Sequence, residues 1–234
     1  MPQRAIKGCL MEMPNSQTAP PRRRARRFWL KLGGSIFVVL ALVALAFCWY
    51  IGALGENFRA VDAERCFRSG QVTPESIQRH VKDQKIKSVI NLRGHSHSAW
   101  YTKELEACQT AGVEHFDVKL DPNYLPPPEN LKELIARFEQ GPYPMLMHCR
   151  AGADRSGLAA TLYAMIVGNK SLDDAVAQQM TWKVGHIKYD SGDRFLEIYR
   201  QNSNGMKIKE WILQKYPDVY EKEGGGKKLF DHSE

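Results

Sequence analysis

The sequence predicts an α/β domain, a central and mostly parallel sheet flanked by helices, preceded by one transmembrane helix. Three observations predict it. Short apolar or β-branched runs alternate with helix-length segments from residue 57 to about 222. The 24 residues Leu32–Gly55 carry no charge, and about 20 apolar residues suffice to cross a bilayer core. The chain holds 33 Lys and Arg against 26 Asp and Glu, a net charge of +7, yet eight of the basic residues and one of the acidic ones precede residue 32. The remainder is balanced. The basic surplus is therefore a topology signal and not a nucleic-acid footprint, and nucleic acid is not an expected partner.

In chain order, residues 1–31 read as a basic cytoplasmic tail, with Arg22-Arg-Arg-Ala-Arg-Arg27 and Lys31 at its end. Residues 32–55 read as a membrane anchor with Trp29, Trp49 and Tyr50 at the interfaces, which sends the rest of the chain to the periplasmic or extracytoplasmic side. Cleavage at Ala44-Leu-Ala46 is a rival reading, but the apolar run continues to Tyr50 and suits an uncleaved anchor better. Arg26-Arg-Phe-Trp-Leu-Lys31 also fits twin-arginine export, against the plainer view that these arginines only set topology.

The domain follows at residues 57–222. Thr73-Pro74-Glu75 is a cap, a first-turn proline and an acidic residue, so a helix runs from there to about Asp83. Ile86–Leu92 reads as a strand ending at Arg93-Gly94, Trp100–Ala111 as a helix closed by Gly112, and Val113–Leu120 as a strand. Asn130–Gln140 is helical and stops at Gly141-Pro142. A strand from Tyr143 to His148, a helix from Ser156, a helix from Leu172 to Trp182 and a last one from Lys207 to Lys215 complete the alternation, and residues 223–234 are expected to be a disordered tail. The five cysteines form neither a disulfide framework nor a zinc pattern. Cys9 lies in the tail and Cys48 in the span, while pairing of Cys66 with Cys108 is left open.

The chemistry concentrates in His148-Cys-Arg-Ala-Gly-Ala-Asp-Arg-Ser-Gly157, between a strand and a helix. Successive backbone N–H groups in a tight loop converge on one point and bind an anion. The N-terminus of the following helix adds its positive end. Arg155 can grip two phosphate oxygens with its planar fork. The same positive field favours the thiolate of Cys149, and Ser156 can hydrogen-bond the sulfur as it leaves. Gly152 allows a left-handed turn and Gly157 close helix packing. No G-x-x-x-x-G-K-[ST] loop is present, which argues against an ATPase or kinase.

This run resembles the Cys-x5-Arg-Ser/Thr signature of the protein tyrosine phosphatase superfamily, in its dual-specificity-like branch. The resemblance extends over roughly residues 57–216, with Phe67-Arg-Ser-Gly-Gln71 and Asn91-Leu-Arg-Gly94 as weaker segments. It implies Cys149 as nucleophile, His148 as the residue that orients the loop, and Arg150, Ala151, Gly152, Ala153, Asp154 and Arg155 as the phosphate cradle. Arg93 is a further candidate for substrate binding or for a structural ion pair. No metal or other cofactor is implied. The family's general acid is an aspartate on a separate loop. Here Leu120–Pro128 supplies Asp121, with Asp117 less suited because it falls inside a strand, and Asp154 in the cradle is an equal candidate. The expected activity is hydrolysis of a phosphate monoester on a phosphoprotein or on a phospholipid or phosphoinositide. Arg150 and the membrane anchor favour a lipid, whereas Ala153 stands where phosphoinositide enzymes often carry a basic residue. The rival readings are a phosphate-binding module with weak catalysis, and a sulfur-transfer or redox protein.

Overall fold

The computed structural model describes residues 32–45, 56–186 and 190–229. The chain divides into two compact units, Met1–Ala53 and Leu54–Glu234. In the first, residues 32–45 form helix α1 with an exposed surface. The basic tail, Cys9 and residues 46–55 of the expected span, with Cys48, lie outside the described residues. Among the described residues no helix is long and apolar enough to cross a membrane.

The second unit is built on a five-stranded sheet: β1 (Arg59–Asp62), β2 (Cys66–Ser69), β3 (Ser88–Asn91), β4 (Glu114–Asp117) and β5 (Met145–His148). Their spatial order is β1-β2-β5-β3-β4; β1 runs antiparallel to β2, and every other pairing is parallel. The expected parallel sheet is thus present, with an antiparallel hairpin at one edge that the sequence reading missed. Helices α2 (Pro74–Gln84) and α3 (Ala99–Ala111) carry Ile77, Ala107 and Cys108 into one core cluster, where they meet Phe67, Val89 and Leu146 from the strands. The larger cluster takes the alternate strand residues Cys66, Ile90, Met145 and Met147, as the period of two along a strand requires. Helices α4 (Pro128–Gln140), α5 (Asp154–Ile166), α7 (Ser191–Asn202), α8 (Ile208–Gln214) and α9 (Tyr216–Lys222) contribute to it, with α6 (Leu172–Gln179) packed on α5. Cys66 and Cys108 are free thiols in different clusters.

Local sequence explains several of these elements. Thr73 caps α2 through a reciprocal pair of bonds with Ser76, and Pro74 occupies the first turn. Gly112 closes α3 in a left-handed conformation. Residues Ser156 to Ala164 of α5 are all buried, so this helix is the centre of the larger core and not an amphipathic face. Helices α7 and α9 were not anticipated. The helix expected to reach Trp182 ends at Gln179, and Trp182–Val184 form a short 3-10 turn. Of the tail expected from 223, the structure describes residues 223–229. Lys228 bridges to Tyr124, and the Leu229 N–H donates to the Asn123 carbonyl at 2.9 Å. Residues 230–234 lie outside the described residues.

Candidate active site

The segment 148–157 joins β5, a central strand with His148 as its last residue, to the buried helix α5. Its shape is set by where its carbonyls go. The carbonyl of His148 accepts from Leu92 N–H (2.9 Å) and that of Arg150 from Gln71 N–H (3.1 Å). Nδ2 of Asn57 donates to the carbonyls of Ala151 and Gly152 at 3.2 and 2.8 Å. The carbonyls of Gly152 and Ala153 each accept from Nη2 of Arg68 at 2.8 Å. The scaffold thus draws the carbonyls outward. The N–H groups of Arg150, Ala151, Gly152 and Ala153 have no acceptor among the described residues, which is the arrangement of an anion-binding loop. Gly152 has φ +69°, and a Cβ there would lie 2.5 Å from the Gly70 nitrogen, so no other residue fits. At Gly157 a Cβ would come within 3.3 Å of Arg68.

Arg68 is the principal residue that the sequence reading missed. It sits fully buried on β2, beneath the loop, and its Nη1 also donates to the Gln179 carbonyl. Burial lowers its pKa to about 10, which leaves it cationic at neutral pH. It therefore adds a fixed positive charge behind the loop while satisfying loop carbonyls. The signal was a lone arginine in Cys-Phe-Arg-Ser, a strand whose four residues are all buried.

At the centre, Cys149 is 2% exposed. Its Sγ lies 3.6 Å from Oγ of Ser156, which can donate its proton to a thiolate. Asp154 and Arg155 open α5 and are both half-buried, whereas Arg150 and Ala151 face solvent and Ala153 is buried.

Two histidine–carboxylate clusters flank the loop. On the side of α3, Nε2 of His148 and Nε2 of His115 both lie 2.8 Å from Oε1 of Glu104, and Nε2 of Gln71 donates to its Oε2 at 2.6 Å. Glu104 and His148 are fully buried. Burial alone would raise the Glu104 pKa, but the bonds from His115 and His148 outweigh it and hold the carboxyl down at about 2. Nδ1 of His148 approaches the Cys149 carbonyl at 3.4 Å, so the chain Gln71–Glu104–His148 runs into the backbone of Cys149. On the other side, Nδ1 of His186 lies 3.0 Å from Oδ1 of Asp154, and its Nε2 lies 3.3 Å from Oδ1 of Asp193. Burial would lower the His186 pKa, but Asp154, Asp193 and Asp190 together raise it above its ordinary value. Asp190, which caps α7, is pushed up to about 6 by burial and by its acidic neighbours. Asp154, His186 and Asp190 bring one ligand-type atom each within 4.8 Å. That spacing would suit a cation, but both ring nitrogens of His186 already face carboxylate oxygens of the protein.

The remaining candidates fall elsewhere. Arg93 is held by its Asn91 turn, stacks over Trp100 at 3.7 Å and donates to Oε1 of Gln71. Burial and the like charges of Arg155 and Arg150 lower its pKa. Asp121 turns its carboxylate back to the Asn123 N–H at 2.9 Å, and its carbonyl accepts from Oγ of Ser191. It lines a cleft with Tyr124, Leu125 and Tyr220 that none of residues 148–157 enters. Asp117 accepts from the Tyr101 hydroxyl and from Nδ2 of Asn91, a structural brace at the end of β4.

Comparison with known proteins agrees with this geometry. The core catalytic domain of the PP-IP phosphatase SIW14 from S. cerevisiae aligns with a TM-score of 0.52 at 20% identity, covering 75% of this chain and 97% of that one. Tk-PTP in its active form aligns with a TM-score of 0.51 at 20% identity, covering 62% of this chain and 97% of that one. At such identity the likeness is one of fold. No curated protein matches the sequence. The family model described as the tyrosine phosphatase family matches residues 51–179, more than half of the chain. The chain is a member of that family of cysteine-based phosphatases, hydrolases of phosphoric monoesters.

Proposed function

We propose that the chain is a membrane-anchored phosphatase that works through a cysteinyl-phosphate on substrates with a second negative group beside the scissile phosphate, of which a phosphoinositide headgroup is the type. What supports the substrate class is the trio Arg93, Arg150 and Arg155: Arg150 is exposed and Arg155 half-buried at the loop, and Arg93 is near enough to feel the charge of both. One phosphate on a tyrosine neutralises a single cradle, whereas three guanidinium groups suit a polyanion. Trp182, 77% exposed beside Lys183 on the turn behind the loop, is suited to a lipid interface. The uncharged stretch 32–55 and the arginines before it support the anchor, with the catalytic domain extracytoplasmic.

The mechanism follows from the loop. The Cys149 thiolate attacks phosphorus in line; Arg155 and the inward N–H groups hold the equatorial oxygens as charge moves onto them. Ser156 stabilises the sulfur when it departs in the second step. Asp154 acts as the general acid and then as base toward water, because it belongs to the phosphate loop itself, in the first turn of α5 and next to Arg155 in the chain, whereas Asp121 is engaged in its own turn. His148 orients the loop. No step draws on a metal.

The test is phosphate release by the full-length chain from phosphoinositide vesicles, phosphotyrosine peptides and p-nitrophenyl phosphate, beside Cys149→Ser. Loss of turnover in the variant by about 10⁴-fold or more is expected for a covalent nucleophile. Preference for the vesicles supports the polyanion reading; preference for the peptides overturns it. Capture of phosphate without turnover by the parent chain would return the protein to a binding module.

A further inference from the structure

His186 has no part in the reaction as described so far, yet it is among the most constrained side chains near the loop. Its own side chain is 3% exposed. The turn that carries it is tied to the cradle, since Nδ2 of Asn57 bonds both the Val184 carbonyl and the Gly152 carbonyl at 2.8 Å. Its backbone N–H donates to the Thr181 carbonyl at 3.2 Å. Both ring nitrogens meet carboxylate oxygens, Asp154 from α5 and Asp193 from α7, and Asp190 from the cap of α7 adds its field. Carboxylates only accept, so only the doubly protonated ring satisfies both contacts.

We propose that His186 is a positioning residue that stores the proton of the general acid and passes it through Asp154. This deepens the reading of Asp154 as acid and rests on it. In the first step the S–P bond forms and the bond from phosphorus to the leaving oxygen breaks. The Asp154–His186 pair gives up one proton to that oxygen, leaving a carboxylate and a neutral imidazole. In the second step water attacks phosphorus, the S–P bond breaks, and the pair takes the water's proton, restoring carboxylate and imidazolium. Cys149 returns as thiolate, so protons and electron pairs balance over the cycle. The geometry suits a relay, because Nδ1 of His186 stands 3.0 Å from Oδ1 of Asp154. The rise in the His186 pKa keeps a proton within one hydrogen bond of it.

The experiment compares two substrates and three variants of the full-length chain. The leaving group of p-nitrophenyl phosphate departs with little help from an acid, whereas that of phenyl phosphate needs it. Asp154→Asn should lower turnover of phenyl phosphate by about 10²-fold or more, the usual worth of a general acid, and that of p-nitrophenyl phosphate far less. His186→Gln keeps a hydrogen-bond donor toward Asp154 but cannot carry the proton. It should lose phenyl phosphate turnover selectively, by about tenfold or more, and move the alkaline limb of the pH profile to lower pH. Asp193→Asn, with the ring intact, should move that limb in the same direction by less. Parallel losses on both substrates with an unmoved pH profile in His186→Gln would overturn the relay. So would unchanged activity. If Asp154→Asn shows no leaving-group preference, the acid assignment itself fails; if Asp154→Asn shows it and His186→Gln does not, only the relay fails. Thermal unfolding of each variant separates loss of fold from loss of chemistry, and Asp193→Asn reads the pH limb should His186→Gln not fold.

Discussion

The two histidine–carboxylate clusters beside the phosphate loop use the same residue types for different ends, and burial makes the difference. Glu104 and His148 are completely dry, and Glu104 is held ionised far below any working pH. Through His148 the cluster fixes the position of Cys149 from behind. Asp154 is 35% exposed and Asp193 29%, with the buried His186 between them. Asp190 is pushed up to about 6, and the carboxylates around His186 raise it above its ordinary value. A dry pair with satisfied bonds is a brace; a half-wet pair with crowded like charges is a place where a proton can be kept and released.

The largest effect should come from breaking the dry side. Glu104 accepts from His148, His115 and Gln71 with two oxygens, and Glu104→Gln offers one acceptor oxygen and places an amide N–H against the Gln71 amide. Removing the charge from such a buried set costs about 3–5 kcal/mol, read as a lower denaturant midpoint. Activity on phenyl and p-nitrophenyl phosphate should fall together, because the brace acts on Cys149 and not on the acid. A selective loss on phenyl phosphate would erase the distinction between the two sides.

The wet side should respond in the opposite direction. Asp190 titrates at about 6 in the fold against an ordinary 3.8. The stability tied to its proton is complete below pH 3.8 and is lost as pH rises through about 6. At pH 7 the fold therefore carries a carboxylate at a cost on the order of 1–3 kcal/mol, part of it screened by solvent. Asp190→Asn keeps an acceptor for the Asp193 N–H at the cap, where Asn serves as well as Asp. It should raise the unfolding temperature at pH 7 and give no gain at pH 4. A gain at both pH values would mean that crowding among Asp154, Asp190 and Asp193 is not what shifts Asp190.

This division also marks what could be read from the sequence. The phosphate loop was legible because strand, loop and helix start lie within ten consecutive residues, and each residue type answers a local need: a left-handed glycine, a helix N-terminus, an arginine at its head. The Thr73 cap and the helix stops at Gly112 and Gly141 were legible for the same reason. The residues that hold the loop were not. Arg68 reaches Gly152 across 84 positions, Glu104 reaches His148 across 44 and His186 reaches Asp154 across 32. No spacing rule connects them; they meet only through the strand order β2-β5-β3 and the packing of α3 and α7 around it. The β1–β2 hairpin escaped because β1 is exposed or half-buried throughout and pairs in an irregular register, so neither an apolar run nor a clean alternation marks it.

Asp121 supplies the smallest expected effect and the sharpest check on the comparison, because it is the candidate acid on the separate loop and belongs to neither cluster. Its carboxylate bonds the Asn123 N–H within its own turn, and Ser191 is held by its backbone carbonyl, which a substitution leaves in place. Asp121→Ala therefore removes one half-exposed hydrogen bond, worth about 1 kcal/mol. The turn it shapes meets the tail through Asn123 and Leu229, so the loss should appear as a small drop in unfolding temperature. The ratio of phenyl to p-nitrophenyl phosphate turnover should not move. If it falls as steeply as in Asp154→Asn, the acid arrives from the loop after β4 when substrate binds, and the His186 cluster is then a second brace, as dry in function as the first.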